Sequence, residues 1–261
     1  MPTIRASIIQ VELKDTEDAA SRFEKIETLL NHTRGSQLIV LPELWGVGYF
    51  AFDQYAAVGE SLHGKTFNAL CAKAMELDAY IMAGSIIERD AANRLYNTSL
   101  LIARDGTLLS SYRKVHLFGY ESEESRFLVR GEKVEAVATP IGNIGMSICF
   151  DLRFPEFYRK QLDQGAELFL VAASWPQVRL EHWQVLARAR ALENQSFLAA
   201  ANCAGMSRGN KLAGHSIIVD PTGKILAEAG EGAEVITADI DLSVVQRTRI
   251  NFPSVHSRVL T

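Results

Sequence analysis

Short runs of hydrophobic residues alternate along this chain with segments whose apolar residues recur at helical spacing. The runs predict β-strands at residues 4–9, 38–41, 80–86, 95–102, 107–112, 144–148, 168–173 and 197–201. The helical spacing predicts helices after residue 15, from residue 66, over 155–164 and over 181–195, the last with Trp183, Leu186 and Leu192 on one side. Strands that alternate with helices are typical of an α/β fold in which helices cover the sheets. Turn signals at residues 105–106 and 220–223 add hairpins, so we expect mixed sheets.

One domain over residues 1–261 is expected, because no Pro/Gly/Ser-rich linker or low-complexity segment interrupts the pattern. Of the 261 residues, 48% are hydrophobic and 22% are charged, so the chain can bury a sizeable core. No apolar run approaches the ~18 residues that a bilayer span needs, and residues 1–6 lack the plan of a signal peptide. We therefore expect no membrane partner and a cytoplasmic location.

Charge and cysteine usage narrow the classes of function further. A net charge of −4, from 27 basic and 31 acidic residues, argues against a nucleic-acid partner. The three cysteines, Cys71, Cys149 and Cys203, form no CxxC pair, which argues against a disulfide framework or a zinc site. No GxGxxG motif follows a predicted strand, so a dinucleotide enzyme is not expected. We expect neither a metal nor a cofactor.

Cys149 is the strongest candidate for a reactive side chain. It stands where the strand at 144–148 ends, before a turn and a helix that opens at Pro155, and this is the geometry of an exposed nucleophile. The positive end of that helix dipole would favour the thiolate. A free cysteine is otherwise most often a small buried hydrophobe. That interpretation is kept for Cys71 and favoured for Cys203, although Cys203 could line a pocket.

Glu43 and Lys114 stand at the ends of two other predicted strands. Glu43 has apolar neighbours, so lost solvation should raise its pKa and make it a better base. Lys114 could hold an ammonium beside the anion of a tetrahedral intermediate. The alternatives are a solvated glutamate and a lysine that snorkels at a strand end. A thiol, a carboxylate and an ammonium at strand ends are the parts for acyl transfer through a thioester.

Together these segments resemble the nitrilase superfamily of carbon–nitrogen hydrolases over nearly the whole chain. The matching segments are LPELW (41–45), YRKVHLF (112–118), CFDLRFPE (149–156), SWP (174–176) and GHSIIVDP (214–221). The resemblance implies that Glu43 is the base, Lys114 the oxyanion stabiliser and Cys149 the nucleophile. It also implies an α-β-β-α sandwich with two mixed sheets, which pairs into a homodimer or a higher homo-oligomer. Candidates for the dimer contact are Tyr158, Trp183 and residues 252–260, with core packing as the alternative.

The family also has a second glutamate, on the loop that follows the lysine. Here that loop contains Glu121, Glu123 and Glu124. Spacing back from Gly131 favours Glu124, with Glu123 as the runner-up. The proline that usually precedes this glycine is replaced by Arg130.

The segment after the nucleophile most resembles a branch of short amidases that includes the omega-amidases, which hydrolyse the side-chain amide of 2-oxo acids. Phe150 stands where tyrosine is commoner, and its backbone N–H is the natural second donor to the oxyanion. Arg153 is a candidate to bind a substrate carboxylate, and a structural ion pair is the alternative. Trp175, in the matching SWP segment, is a further candidate for the substrate pocket.

The expected function is hydrolysis of a small amide to an acid and ammonia through a cysteine thioester. One alternative is a nitrilase that uses the same residues on a small nitrile. Another is a scaffold of the same fold whose triad is no longer used and whose partner surface matters. A cysteine protease is not expected, because none of the six histidines has the local sequence context of a Cys–His pair.

Overall fold

The computed structural model describes residues 3–120 and 122–259. The strands in this part of the chain are β1 (Thr3–Gln10), β2 (Glu12–Leu13), β3 (Leu38–Val40), β4 (Tyr80–Met82), β5 (Ile86–Arg89), β6 (Leu95–Ile102), β7 (Leu108–Arg113), β8 (Ala136–Thr139), β9 (Gly142–Ile148), β10 (Leu168–Ala173), β11 (Phe197–Asn202), β12 (Ala204–Ser207), β13 (Asn210–Ala213), β14 (Ile217–Val219), β15 (Ile225–Glu228) and β16 (Glu234–Asp241). The helices are α1 (Ala19–Asn31), α2 (Tyr55–Val58), α3 (Lys65–Leu77), α4 (Glu124–Phe127), α5 (Pro155–Asp163), α6 (Leu180–Asn194) and α7 (Ser243–Asn251).

Two large sheets carry the fold. The first has the order β16-β1-β3-β4-β6-β5, and β7 also pairs with β6. The second has the order β15-β14-β11-β10-β9-β8, and a small third sheet has the order β13-β12-β2. Parallel pairs occur within the sheets, as in β1–β3 and β9–β10, whereas the edge strands pair antiparallel, as in β1–β16 and β8–β9. Both large sheets are therefore mixed, as the turn signals predicted.

The side chains of β3 show how the layers are stacked. Leu38 and Val40 join a core cluster that contains residues of both large sheets. Ile39, between them, points to the other face and packs in a second cluster with side chains of α1 and α3. On the far side of the second sheet, α5 and α6 contribute to the core. The order of layers is helix, sheet, sheet, helix, which confirms the predicted α-β-β-α sandwich.

The strand predicted at residues 80–86 is wrong in its second half. It breaks after Met82, and the chain resumes as a separate strand at Ile86. Between them Gly84 adopts φ +70°, and a Cβ atom there would lie 1.9 Å from the carbonyl oxygen of Pro42. Only glycine allows this close approach at a positive φ. The break therefore lets the chain pack against the segment that carries Glu43.

Helix α6 forms where the spacing predicted it, but the residues on its buried face are not those that the sequence predicted. Trp183 is buried, whereas Leu192 is 54% exposed. The two residues are nine positions apart, which at ~3.6 residues per turn places them on opposite sides of the helix. The grouping of Leu192 with Trp183 on one face is therefore wrong.

Two of the residues proposed for a dimer contact belong to the core of this chain. Tyr158 is fully buried, and its hydroxyl lies 2.7 Å from Ser147 Oγ. Trp183 is fully buried as well, and its indole N–H donates to the carbonyl oxygen of His215 at 2.7 Å. Neither side chain can reach a partner subunit, so this prediction is wrong for both. Within residues 252–260, Phe252 is 70% exposed, and Leu260 lies outside the described residues.

Nothing in the described part of the chain is suited to crossing a membrane as a helix, because no helix there is both long enough and apolar enough.

Candidate active site

Three strand ends bring Glu43, Lys114 and Cys149 to one place between the large sheets. Glu43 follows β3, Lys114 follows β7 of the same sheet, and Cys149 follows β9 of the second sheet. The ammonium of Lys114 donates to Glu43 Oε1 at 3.0 Å. Cys149 is close enough for the charges of both residues to affect its pKa.

Glu124 also contacts the lysine, through the first turn of the short helix α4. Lys114 Nζ donates to both of its carboxylate oxygens, at 2.9 and 3.1 Å, and the backbone N–H of Phe118 donates at 2.7 Å. Glu123, the runner-up, is exposed and pairs with Arg126 on the surface. Glu121 lies outside the described residues. The loop is held in place at its far end, where the N–H of Gly131 donates to the carbonyl oxygen of Lys114 at 2.7 Å.

Asn97 completes this buried cluster, and the sequence analysis did not identify it. Its side-chain amide donates to Glu43 Oε1 at 2.8 Å and to Glu124 Oε1 at 3.3 Å. The sequence shows only a run of three polar residues, Asn97-Thr98-Ser99, inside strand β6, and such a run does not by itself indicate a function. The backbone N–H of Ser174 donates to the other oxygen of Glu43 at 2.9 Å.

The hydrogen-bond pattern indicates that Glu43 and Glu124 are carboxylates and that Lys114 is an ammonium. The side chains and backbone groups bonded to the two carboxyl groups offer hydrogen atoms, which suits an ionised acceptor. Burial raises the pKa of Glu43, and the charge of Lys114 opposes that rise. For Lys114, burial lowers the pKa, but the carboxylates of Glu124 and Glu43 outweigh it and hold the pKa well above its usual value. The lysine therefore stays charged at neutral pH.

Cys149 occupies a strained backbone position. It has φ +47°, which is uncommon for a residue with a side chain, and it begins a 3₁₀ turn, Cys149–Arg153, directly after β9. The thiol is half-buried and lines a cavity. The predicted strand, turn and helix at Pro155 are thus confirmed.

The thiolate that the helix dipole was expected to favour is not the favoured form of Cys149. Burial raises the pKa of Cys149 well above its usual value, the carboxylate of Glu43 raises it further, and the charge of Lys114 only partly opposes them. Helix α5 begins at Pro155, six positions beyond the thiol. A dipole effect fades within the first turn of a helix, so it does not overcome the burial. The resting form is a thiol beside a carboxylate.

Asp151 anchors the turn that carries Cys149. Its buried carboxylate accepts hydrogen bonds from the backbone N–H of Ile148 at 2.9 Å and from the hydroxyl of Tyr112 at 2.7 Å. It also accepts from the backbone N–H of His116 at 3.0 Å, and His116 Nδ1 lies 2.8 Å away. One carboxylate thereby ties the residue before Cys149 to the segment just beyond Lys114. In the sequence, Asp151 shows only as an acidic residue between the apolar Phe150 and Leu152, which does not reveal this role.

The cavity at Cys149 has a volume of about 220 Å³, which is smaller than the roughly 300–1,000 Å³ of pockets for drug-sized ligands. Its aromatic lining consists of Tyr49, Phe50, Phe118, Tyr120, Phe150 and Trp175. Trp175 is 2% exposed, and its indole N–H donates to the carbonyl oxygen of Arg179 at 2.8 Å. A pocket of this size and lining suits a small organic molecule.

Arg153 lines the same cavity, and its guanidinium carbon lies 4.7 Å from the ring centre of Trp175. Its side chain contacts His182 Nδ1 at 3.2 Å. Within the described residues, no carboxylate comes within 4.0 Å of it. The alternative of a structural ion pair for Arg153 is therefore not observed here.

The other two cysteines lie outside this cavity. Cys203 is fully buried in the core behind Glu43, and its Sγ atom lies 3.4 Å from Ser174 Oγ. Burial raises the pKa of Cys203 to about 12. Cys71 packs on α3, with its Sγ atom 2.9 Å from the carbonyl oxygen of Gly106. Residues 3–120 and 122–259 contain no group of three His, Cys, Asp or Glu side chains placed to hold a metal ion.

Comparison with known proteins identifies the family. The family model described as carbon-nitrogen hydrolase matches residues 5–250. The chain belongs to the carbon–nitrogen hydrolase family. It is 37% identical over 259 residues to a protein of Paenarthrobacter nicotinovorans named 2-oxoglutaramate amidase, covering 96% of this chain and 87% of that protein. It is 33% identical to the human protein named omega-amidase NIT2, covering 97% and 94% of the two chains.

Among solved structures, Saccharomyces cerevisiae Nit3, described as a member of branch 10 of the nitrilase superfamily, superimposes with a TM-score of 0.89 at 32% identity. The match covers 99% of this chain and 97% of that one. The predicted nitrilase-like fold and the resemblance to the short amidase branch are both confirmed. The chain is an amide-hydrolysing enzyme of this family.

Proposed function

We propose that this chain is a cofactor-free omega-amidase with Cys149 as the nucleophile, Glu43 as the base and Lys114 as the oxyanion stabiliser. The observation that carries the proposal is the buried contact of Lys114 with both Glu43 and Glu124, next to the half-buried thiol of a small pocket. An ion pair that serves only at the surface stays exposed to solvent, whereas the side chains of Lys114, Glu43 and Glu124 are fully buried. The relatives named omega-amidase and 2-oxoglutaramate amidase support the same function.

The first half of the reaction forms a thioester. Glu43 takes the proton of the Cys149 thiol as the sulfur attacks the amide carbon, which makes a tetrahedral adduct with a negative oxygen. The ammonium of Lys114 and the backbone N–H of Phe150 stabilise that oxygen. Glu43 then returns the proton to the leaving nitrogen, and the C–N bond breaks to release ammonia.

The second half hydrolyses the thioester with the same groups. Glu43 accepts a proton from water, the hydroxide attacks the thioester carbon, and the C–S bond breaks. The proton then returns from Glu43 to the sulfur, so the thiol is restored. Glu124 does not exchange a proton in this scheme, because its hydrogen bonds hold Lys114 and the Phe118 backbone in place. No cofactor enters either half.

The carboxylate of a 2-oxo-acid amide would bind at Arg153. Arginine presents a planar fork that matches a carboxylate in a bidentate way. Arg153 lines the cavity with Cys149, and both stand on the same 3₁₀ turn. The scissile amide and the carboxylate would thus lie at two ends of one short molecule, with Trp175 against its length.

An ammonia-release screen tests the proposal. The wild-type chain should release ammonia from 2-oxoglutaramate faster than from simple aliphatic amides, N-carbamoyl compounds or nitriles. Cys149→Ser should abolish the release, and the matched control Cys71→Ser, on the far side of the first sheet, should retain it. Equal or faster turnover of nitriles would favour a nitrilase. No turnover of any class by the wild type would leave the scaffold as the function.

We further propose that the chain is a single domain that forms a homodimer in the cytoplasm, where a catalytic thiol stays reduced. Exposed apolar residues support a subunit contact on the outer side of the second sheet: Val185, Leu192, Ile250 and Phe252. The end of α6 meets the segment after α7, because the side chain of Gln195 donates to the carbonyl oxygen of Phe252 at 2.6 Å. Light scattering on the wild type and on Leu192→Lys checks the oligomer, and a monomeric wild type would contradict it.

A further inference from the structure

The cavity at Cys149 carries opposite charges at its two ends. Behind the inner end, which Cys149 and Ser174 line, the two carboxylates of Glu43 and Glu124 face one ammonium, that of Lys114, so the net charge there is negative. At the outer end lie two guanidinium groups, those of Arg153 and Arg179. Arg179 has no part in the proposed reaction, and its sequence context does not predict a role for it.

Arg179 reaches the cavity from a different element than Arg153. It ends the 3₁₀ turn Gln177–Arg179, which follows the pocket residue Trp175. The side chain is half-buried, and its guanidinium carbon lies 5.7 Å from the ring centre of Phe118. Most half-buried arginines in proteins find an acidic partner or reach solvent along an apolar wall. Arg179 instead lines the cavity that contains the thiol of Cys149.

The two guanidinium groups lack acidic partners. Across residues 3–120 and 122–259, no carboxylate lies within 4.0 Å of Arg153 or Arg179. Their charges also oppose each other: burial lowers the pKa of Arg153, and the charge of Arg179 lowers it further. A carboxylate placed between them would satisfy donors of both groups and relieve that repulsion.

We propose that Arg179 is a specificity-determining residue that binds, together with Arg153, the carboxylate of a monoanionic amide, while the negative inner end disfavours the dicarboxylate that hydrolysis produces. The inference rests on the proposed amidase function and deepens it. The amide group of the substrate is neutral, so it enters the inner end without charge repulsion. The product carries a new carboxylate at that end, beside Glu43 and Glu124 in a buried setting where like charges repel strongly. The charge arrangement therefore favours binding of the half-amide and release of the product.

Calorimetric binding to the Cys149→Ala protein tests this with three ligands of equal length: glutaramate (the half-amide), glutarate (the dicarboxylate) and glutaramide (the neutral diamide). Glutaramate should bind most tightly. Adding Arg179→Met should raise its Kd by about tenfold or more, because a charge-assisted hydrogen bond is lost. The same change should leave the Kd of glutaramide within about twofold, since that ligand has no charge to pair. The control Arg34→Met removes a charge from a surface pair with Glu76 and should change none of the three values.

Three results would overturn the inference, and they are distinguishable from failure of the proposed function. If Arg179→Met leaves the Kd of glutaramate unchanged, Arg179 is not a specificity residue. If it weakens glutaramide as much as glutaramate, it acts on the shape of the pocket and not on charge. If glutarate binds as tightly as glutaramate, the inner end does not reject the product. Ammonia release by the Cys149 wild type from any amide, measured in parallel, reports on the proposed function independently of these outcomes.

Discussion

The inner and outer ends of the pocket place charged groups in opposite ways. At the inner end, Lys114, Glu43 and Glu124 are fully buried, and each has at least two hydrogen-bond partners. At the outer end, Arg153 and Arg179 are half-buried and have no carboxylate within 4.0 Å among the described residues. The groups proposed for chemistry are thus positioned before substrate arrives, whereas the groups proposed for recognition wait for the charge that the ligand brings.

This difference has an energetic reason. Burying an ion pair costs several kcal/mol of desolvation per ion, so such a cluster is a poor device for stability alone. It is useful when the charge must act on a reacting atom in a site that excludes water, because electrostatic stabilisation is stronger there. A recognition site has the opposite requirement. A guanidinium that was already paired with a carboxylate of its own chain would bind the substrate less tightly.

The largest expected effect is at the thiol that lies between the two ends. Cys149→Ser should lower kcat by about 10³-fold or more, because removal of a covalent catalyst typically costs ~10³–10⁴ or more. The fold should survive, since serine fills nearly the same volume on the same backbone. Ammonia release and a thermal unfolding curve check both parts. Activity above roughly a thousandth of the wild type would contradict the assignment of Cys149 as the nucleophile.

Removal of the buried cation should affect both activity and stability. Lys114→Met leaves Glu43 and Glu124 facing each other without a counter-charge, and breaking a buried pair in this way typically costs ~3–5 kcal/mol of unfolding free energy. Loss of the oxyanion stabiliser should lower kcat by a further ~10²–10³. Chemical denaturation and steady-state kinetics measure the two effects.

A double change separates those effects. In the double variant Lys114→Met with Glu124→Gln, only one of the two like-charged carboxylates remains. The unfolding free energy should therefore partly return, while activity stays low. Lys73, whose ammonium pairs with Glu76 at the surface, provides the control Lys73→Met, which should change the unfolding free energy by less than ~1 kcal/mol. An equal loss in both lysine variants would contradict the view that burial makes Lys114 special.

At the outer end the expected effect is smaller and depends on the substrate. Arg153→Met should lower kcat/KM for 2-oxoglutaramate by about one to two decades, the value of a charge-assisted hydrogen bond of ~1.5–3 kcal/mol. An uncharged aliphatic amide should lose far less, because it has no carboxylate to bind. Parallel kinetics on the two substrates decide the matter. Equal losses on both would assign Arg153 a structural role.

The sequence predicted the inner end of the pocket better than the outer end. Glu43, Lys114 and Cys149 each follow a strand, and strand ends can be located from hydrophobic runs and matching motifs. Asn97 was missed because polar residues within a strand carry no local signature of function, and its role appears only when the first sheet brings the ends of β3 and β7 beside β6. Arg179 was missed for the same reason, since a loop arginine is usually a solvated one.

The pKa of the Cys149 thiol is the property that the neighbouring sequence predicted least well. Proximity of Cys149 to the start of α5 is visible in the sequence, whereas the burial of the site and the approach of Glu43 are properties of the tertiary structure. The net direction is upward, so the tertiary surroundings of Cys149, which the local sequence does not contain, decide its pKa. The exposure of Leu192 is a second case, because the face of α6 that is buried is decided by tertiary packing and not by hydrophobicity alone.

The smallest expected effect is a shift in the pH profile of thiol alkylation, and it tests the pKa of Cys149 directly. Because burial and Glu43 raise the pKa of Cys149, the thiolate fraction at a given pH is lower than for a free cysteine. The alkylation rate of Cys149 by iodoacetamide, followed by peptide mass spectrometry, should therefore still rise with pH beyond about 8.5, the usual cysteine value. Glu43→Gln removes one of the causes and leaves the burial and the charge of Glu124, so the profile should move to lower pH without reaching that of a free thiol. Had the helix dipole dominated, the rate would level off below about pH 8.5 in the wild type, and Glu43→Gln would matter little. A plateau of that kind would contradict the picture of a resting thiol beside a carboxylate, and with it the need for Glu43 as the base.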